Sequence, residues 1–382
     1  MSDKKYEQRG VSASKSDVHK SISNLSKGLY PTAFCKVLPD IVADSDEYVN
    51  IMHADTAGTK TSLAYIYWKE TGDMSVWEDI VQDAIVMNID DLLCVGCDDK
   101  IILSSTIGRN KHLIPGEVVS MLINASQKFI DKMKHFGIDM RLAGGETADV
   151  GDIVRTVDVG ITAFARMKKE DLIINDIKPG NVIIGFSSFG KADYEAAYNS
   201  GVGSNGLTSL RHDLLSEIYR EKYPESYAPE TDKQYIYSGK HLLTEKIVIE
   251  NESVDIGKFM LSPTRTYLPV LKEVFAKYRK QIDGIIHCTG GAQTKVLKFV
   301  NNRRIIKDNL FQIPLIFSMI KDYCDYDINE MYEVFNMGHR MEMYIDEKFA
   351  SDIISISQSF GVDARVVGRV EECLGNELVI SQ

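Results

Sequence analysis

No apolar run in the 382 residues approaches the roughly 18–20 that a membrane span needs, so a membrane partner is not expected. Cysteine is sparse. Cys35, Cys94, Cys97, Cys288, Cys324 and Cys373 are scattered, without the dense framework of small disulfide-stapled domains. Cys94-Val-Gly-Cys97 is a lone CxxC with no second pair or histidine pair at zinc spacing; it reads as small residues in a helix and its closing turn. Basic residues are outnumbered, 44 Lys and Arg against 55 Asp and Glu, for a formal charge of −11. That balance argues against a nucleic-acid surface, which rewards basic patches. The opening MSDKKYEQRG is charged and polar, unlike a secretory signal, so a cytoplasmic location is expected.

What is present is the mix of a globular protein: 44% apolar and 26% charged residues. The length suits two domains and a core that needs no staples. A helix is expected from Ser14 to Lys27, then a strand over Tyr48–Ala54 stopped by Asp55-Thr-Ala-Gly58. Val76–Val95 reads as a buried helix, since its apolar residues lie on more than one side. A strand at Ile101–Ile107 and an amphipathic helix from Pro115 to Phe136 follow. Strands at Ile138–Leu142 and Val154–Ala165 then flank an expected loop, Ala143–Asp149. The order predicts an α/β or α+β fold, with a boundary near Ile177-Lys-Pro-Gly180. The expected domains are 1–177 and 178–382, the second with helices at Leu207–Glu217, Thr264–Lys280 and Glu347–Phe360. Its strands are expected at Val182–Phe186, Gly284–His287, Arg340–Ile345 and Ala364–Val370. Tyr219–Gly239, polar and tyrosine-rich, reads as a surface insertion.

Four stretches could carry chemistry. Asp55-Thr-Ala-Gly58-Thr59-Lys60 puts an acid, a glycine, a hydroxyl and a lysine directly after a strand. That set suits a metal–phosphate contact, or simply a capped strand-to-helix turn; it is not a Walker A loop. In the buried helix, Asp83 and Asp90 lie about 20° apart on the helical wheel and Asp91 about 80° from Asp83. Three such carboxylates need compensation, from Mg²⁺, from a lysine or from emergence at an exposed side. Gly144-Gly145-Glu146-Thr147-Ala148-Asp149 offers flexible glycines beside two acids. Thr289-Gly290-Gly291 follows a strand and precedes a helix, where free amides favour an anion. His53, His287 and His339 each read as structural.

Taken together, these stretches resemble the aminoimidazole ribonucleotide synthetase family, phosphoribosylformylglycinamidine cyclo-ligase, of a wider ATP-binding superfamily. Asp55–Lys60 resembles its Asp-Gly-Val-Gly-Thr-Lys, and Asp83 through Leu92 its Asp…Asn-Asp-Leu helix. Gly144–Asp149 is similar to its Gly-Gly-Glu-Thr-Ala-Glu. Ser204-Asn205-Gly206, Ser262-Pro-Thr-Arg265, Thr289-Gly-Gly291 and Phe335-Asn336-Met-Gly338 follow in family order. The resemblance implies an N-terminal sheet domain that dimerises, a C-terminal sheet flanked by helices, and ATP with Mg²⁺ held between them. It implies an ATP-dependent ligase of purine biosynthesis acting on a small ribonucleotide as a homodimer. Asp55 and Asp91 would hold Mg²⁺, with Asp83 and Glu146 as further acids. Lys60 would stand near phosphate, Gly58 and Thr59 beside it, and Gly144, Gly145 and Thr147 would line the nucleotide loop. Asn205, Thr289, Gly290 and Gly291 would take the substrate.

The chain also departs from the family. Gly203 stands where the family has histidine, Asp90 where it has Asn, and Val150-Gly151 where it has Met-Pro; Tyr30–Asp40 lacks the glycine-rich loop. These departures keep open a sister ATP-dependent phosphotransferase or a non-catalytic nucleotide binder. A selenophosphate synthetase fits poorly, because it needs a reactive cysteine nearer the start than Cys35.

Overall fold

The computed structural model describes residues 6–12, 16–323 and 326–381. The first helix is α1 (Ser16–Ile22); the expected start at Ser14 lies outside the described residues. Five strands build the first sheet. They are β1 (Val37–Asp40), β2 (Ser45–Thr56), β3 (Ile101–Arg109), β4 (Met140–Asp149) and β5 (Val157–Lys168), in the order β1-β2-β5-β3-β4. Helices α2 (Lys60–Thr71), α3 (Val76–Leu93) and α4 (Gly116–Lys134) interleave with them. In α4 the residues Val118, Leu122, Ala125, Phe129 and Met133 are buried, one stripe at helical spacing. α3 is buried almost all round and packs on β2 and β5.

The expected loop Ala143–Asp149 is instead the second half of β4, which runs parallel to β3. A register shift between Leu103 and Ser105 lets the glycine pair into the ladder. A Cβ at Gly145 would stand 2.2 Å from the Ser105 carbonyl oxygen, so only glycine fits there.

The second sheet has six strands: β6 (Asn181–Ser187), β9 (Ile282–His287), β10 (Arg303–Lys307), β11 (His339–Asp346), β12 (Ala364–Glu372) and β13 (Glu377–Ile380). Its order is β13-β10-β12-β6-β11-β9. β6 is buried at every position, as an apolar strand with both faces covered should be. β7 (Lys246–Ile249) and β8 (Glu252–Asp255) form a separate hairpin. The remaining helices are α5 (Leu207–Leu214), α6 (Ile218–Lys222), α7 (Ile256–Met260), α8 (Leu268–Tyr278), α9 (Leu315–Tyr323), α10 (Ile328–Val334) and α11 (Ala350–Gln358). The architecture is a two-domain α+β fold. Among the described residues no helix is long and apolar enough to cross a membrane.

Residues 219–239 are not the surface insertion their polarity suggests. Tyr219 and Tyr237 are 1% and 0% exposed, and Tyr223 packs edge-on against Tyr65 of α2. Each buried phenol finds a partner. The Tyr219 hydroxyl accepts from the Leu243 N–H at 2.7 Å, and the Tyr237 hydroxyl accepts from Arg211 at 2.7 Å. Tyrosine can be core while its sequence neighbourhood stays polar, provided its hydroxyl is satisfied. Tyr237→Ala should therefore cost about 3 kcal/mol or more of stability, as for a truncated core aromatic. Urea denaturation checks this; a change within experimental scatter would return the segment to the surface.

Candidate active site

The site is built around α3. Asp83, Asp90 and Asp91 are 0%, 0% and 7% exposed on this largely apolar helix, and each is met by a different neighbour. Asp83 pairs with Lys60 Nζ at 2.8 Å, both side chains fully buried. The same oxygen accepts from the Thr264 N–H at 2.7 Å and the Thr264 hydroxyl at 2.5 Å. Lys60 also donates to the Ser262 carbonyl at 2.6 Å. Asp90 accepts from the Thr266 hydroxyl at 2.6 Å and the Tyr267 N–H at 3.2 Å. Burial pushes its carboxyl up to about 7, against the pull of the Thr266 hydrogen bond and the Arg340 charge. Residues 262–267 are thus pinned in non-helical form along α3, which is why α8 begins at Leu268 and not at Thr264.

Asp91 lies between two histidines, with His287 Nδ1 at 2.7 Å and His53 Nε2 at 3.1 Å. Burial alone would raise its carboxyl, but the hydrogen bonds from His287 and His53 prevail and hold it well below the usual carboxylate range. For His53, burial opposes charge, yet the hydrogen bond and charge of Asp91 push the ring up to about 9. Burial takes His287 the other way, down to about 4. At neutral pH the group is therefore a carboxylate between an imidazolium and a neutral imidazole. A carboxylate only accepts, so His287 carries its proton on Nδ1, and its Nε2 has no hydrogen-bond partner among the described residues. His53 Nδ1 meets Asn88 Oδ1 at 3.0 Å, while Asn88 Nδ2 donates to the Asp55 carbonyl at 3.4 Å. Asp55, His53, Asn88 and Asp91 thereby form one continuous polar strip between β2 and α3.

Two loops from the second domain close on this strip. The Thr59 and Thr208 hydroxyls meet at 2.7 Å, joining the exposed Gly58–Thr59 turn to α5, just past Asn205. A Cβ on Gly290 would stand 3.9 Å from Asn205 Nδ2, so the 203–206 and 289–291 loops are neighbours. Lys295 donates to the Thr289 hydroxyl at 2.9 Å, and its ammonium stands 4.9 Å from the Phe34 ring centre. Gly144, Gly145, Glu146 and Thr147 lie apart, exposed on the edge strand β4. The register Thr56↔Gly160↔Thr106↔Glu146 puts Glu146 three strands from Thr56, about 14 Å at ordinary strand spacing. One chain does not gather Glu146 and Asp55 around one ion.

His53, His287, Lys295 and Arg340 belong to this site and were not singled out as site residues from the sequence. The available signal was spacing, since His53 and His287 stand two residues before Asp55 and Thr289. The cluster Cys288, His339 and Glu342 is close enough to hold a metal ion. Lys307 Nζ, however, already stands 2.5 Å from Glu342 with both side chains buried, so the charge there is met.

Residues 36–167 match the family model for the AIR synthase related protein, N-terminal domain, a span that takes in the first sheet from β1 to β5. The resemblance to the aminoimidazole ribonucleotide synthetase family extends over most of the chain. It is 25% identical over 338 residues to the phosphoribosylformylglycinamidine cyclo-ligase of Methanocaldococcus jannaschii, covering 87% of this chain and 82% of that protein. It is 28% identical over 331 residues to the enzyme of that name from Methanococcus maripaludis strain C7, covering 85% and 79%. Among solved structures, the tt0281 protein of Thermus thermophilus shares the fold with a TM-score of 0.52 at 11% identity, covering 95% and 96%. Thermotoga maritima PurL complexed with ADP does so with a TM-score of 0.52 at 15% identity, covering 97% of this chain and 46% of that one.

Two outcomes follow from the geometry. Lys60→Met leaves the Asp83 carboxylate buried without a counter-charge and should cost about 3–5 kcal/mol. Asp83→Asn in that background should recover most of the loss, which a denaturation series on the two variants measures. In the ligand-free protein, Asp91→Asn removes the largest of the influences that raise His53, leaving the smaller ones of Asn88 and Asp55 against burial. The His53 pair contributes stability that is fully present below the ordinary histidine value near 6.5 and lost as pH rises through about 9. An NMR titration of the variant should find His53 at or below its ordinary value, and the alkaline loss of stability over that window should disappear.

Proposed function

We propose that the protein is an ATP-dependent cyclo-ligase that closes formylglycinamidine ribonucleotide to aminoimidazole ribonucleotide. The observation that carries this reading is similarity to cyclo-ligases over 87% of the chain, and the motif resemblance at Asp55–Lys60, Asp83–Leu92 and Thr289–Gly291 supports it. An amide oxygen is a poor leaving group. ATP phosphorylates it, a ring nitrogen attacks the activated carbon, and phosphate departs. The protein's part is to position the reactants and neutralise charge.

The donor set fits Mg²⁺. Asp55 and Asp91 are hard oxygen donors on adjoining elements, and Mg²⁺ is ordinarily held by one or two carboxylates with substrate phosphates and water. When bound, Mg²⁺ would neutralise phosphate charge. Gly58 and Thr59 offer backbone and hydroxyl to those phosphates. Lys60 and Asp83 are spent on each other, and in this reading they anchor the 55–60 turn. Asn205, Thr289, Gly290 and Gly291 take the ribonucleotide. All of these reactants are water-soluble metabolites, in keeping with a cytoplasmic enzyme.

The chain works as a homodimer in this reading. The outer face of the first sheet carries the row Met52↔Phe164↔Ile102, with Met52 60% and Ile102 44% exposed. A second copy covering that face would remove apolar surface from water. It could also bring its own Gly144–Thr147 to the nucleotide, which one chain's span of about 14 Å does not allow.

Purified protein supplied with MgATP and formylglycinamidine ribonucleotide should release aminoimidazole ribonucleotide and ADP. ADP without the imidazole would point to a sister phosphotransferase, and silence in both channels from folded protein would reject the reading. Met52→Asp should convert the dimer to monomer in light scattering and abolish turnover. A dimer that survives the change would place the interface elsewhere.

A further inference from the structure

Arg340 opens β11 beside the end of β9, where its carbonyl accepts from the Cys288 N–H at 2.7 Å. It is 2% exposed. Its Nη2 donates to the Arg265 carbonyl and its guanidinium stands 5.6 Å from the centre of the Tyr267 ring. Its Nε and Nη1 have no hydrogen-bond partner among the described residues. Asp90 feels its charge but gives its two oxygens to Thr266 and Tyr267. A buried guanidinium with two idle nitrogens is costly to keep unless something meets it.

Its direction indicates what that is. A Cβ built on Gly203 would stand 3.1 Å from Arg340 Nη1, so the guanidinium fills the side-chain space of position 203. Gly203 sits at φ +65°, two residues before Asn205, whose Oδ1 is also buried without a partner among the described residues. Met341, of the same strand as Arg340, pairs with His287, whose Nε2 also has no hydrogen-bond partner among the described residues. Of the groups bordering the seam between the 203–206 and 287–291 loops, the Arg340 guanidinium is the donor, whereas Asn205 Oδ1 and the unprotonated His287 Nε2 accept, so an anion there is met by Arg340. Position 203 is itself glycine, so that point of the loop supplies no charge of its own.

We propose that Arg340 is a substrate-binding residue that takes a phosphoryl oxygen at this seam, the bare Gly203 leaving the guanidinium room to reach it. Arginine suits the task, being always charged and weakly hydrated. The inference rests on the cyclo-ligase reading for the identity of the reactants, though not for the anion site itself. Two phosphoryl groups could occupy it: the ribonucleotide's own phosphate or the terminal phosphate of ATP.

The test uses ribose 5-phosphate and a non-hydrolysable MgATP analogue as probes, titrated calorimetrically into the full-length protein, Arg340→Met and Gly203→Ala. Arg340→Met should melt no lower than the parent without ligand, since an unmet charge has gone. It should weaken one probe about tenfold or more, the loss of a charge-assisted hydrogen bond. Gly203→Ala, which crowds Nη1, should weaken the same probe even if Arg340→Met does not fold. Loss confined to ribose 5-phosphate assigns the ribonucleotide's phosphate, and loss confined to the analogue assigns the terminal phosphate; either supports the proposal. Unchanged binding of both probes overturns it, as does a variant that melts far lower yet binds normally. These readouts need no turnover. Arg340-dependent binding without cyclisation would reject the cyclo-ligase reading alone, and normal cyclisation by Arg340→Met would reject Arg340 alone.

Discussion

Carboxylates inside an apolar helix are the constraint on which the rest of this structure depends. A buried charge must be met locally or the helix cannot stay buried. Asp83 is met by Lys60 and Thr264, Asp90 by Thr266 and Tyr267, and Asp91 by His287 and His53. Because those partners come from β2, α2, the 262–267 segment and β9, satisfying one helix draws four separate stretches against it. The candidate site is the product: a polar strip bordered by two glycine loops, where the second sheet's strands end against α3.

The same constraint sorts the acids by task. Asp83 has a lysine of its own and no exposure, so it behaves as a structural charge. Asp91 retains 7% exposure and sits beside the half-buried Asp55 and His53, at the open margin of the seam. The overall charge of −11 would repel nucleotides, yet His53, Lys295 and Arg340 concentrate positive charge where the loops meet. Anion binding by an acidic protein requires such local reversal, since fields are focused by clefts and screened elsewhere within about 10 Å.

Much of this was legible in the residues. The burial of α3 followed from its all-round apolar pattern, and the need of its acids for partners followed from that burial. One compensator weighed from the sequence, a lysine, is the one Asp83 has. Three features were not legible. The Gly144–Asp149 stretch looks like a loop because glycines suggest turns, but Gly145 is needed where a strand passes Ser105 too closely for a Cβ. Tyr219 and Tyr237 sit among charges, and only the tertiary partners of their hydroxyls reveal them as core. His53 and His287 looked isolated because their shared partner, Asp91, is 38 and 196 residues away in sequence.

The central claim is that α3's carboxylates bind the 262–267 segment to the first domain as one cooperative unit. Native-state hydrogen exchange reads this directly, at the Thr264 and Tyr267 amides that donate to Asp83 and Asp90. If the claim holds, both amides exchange only through global unfolding, with the protection of central strand β6. Exchange of either through local opening, orders of magnitude faster than β6, would contradict it.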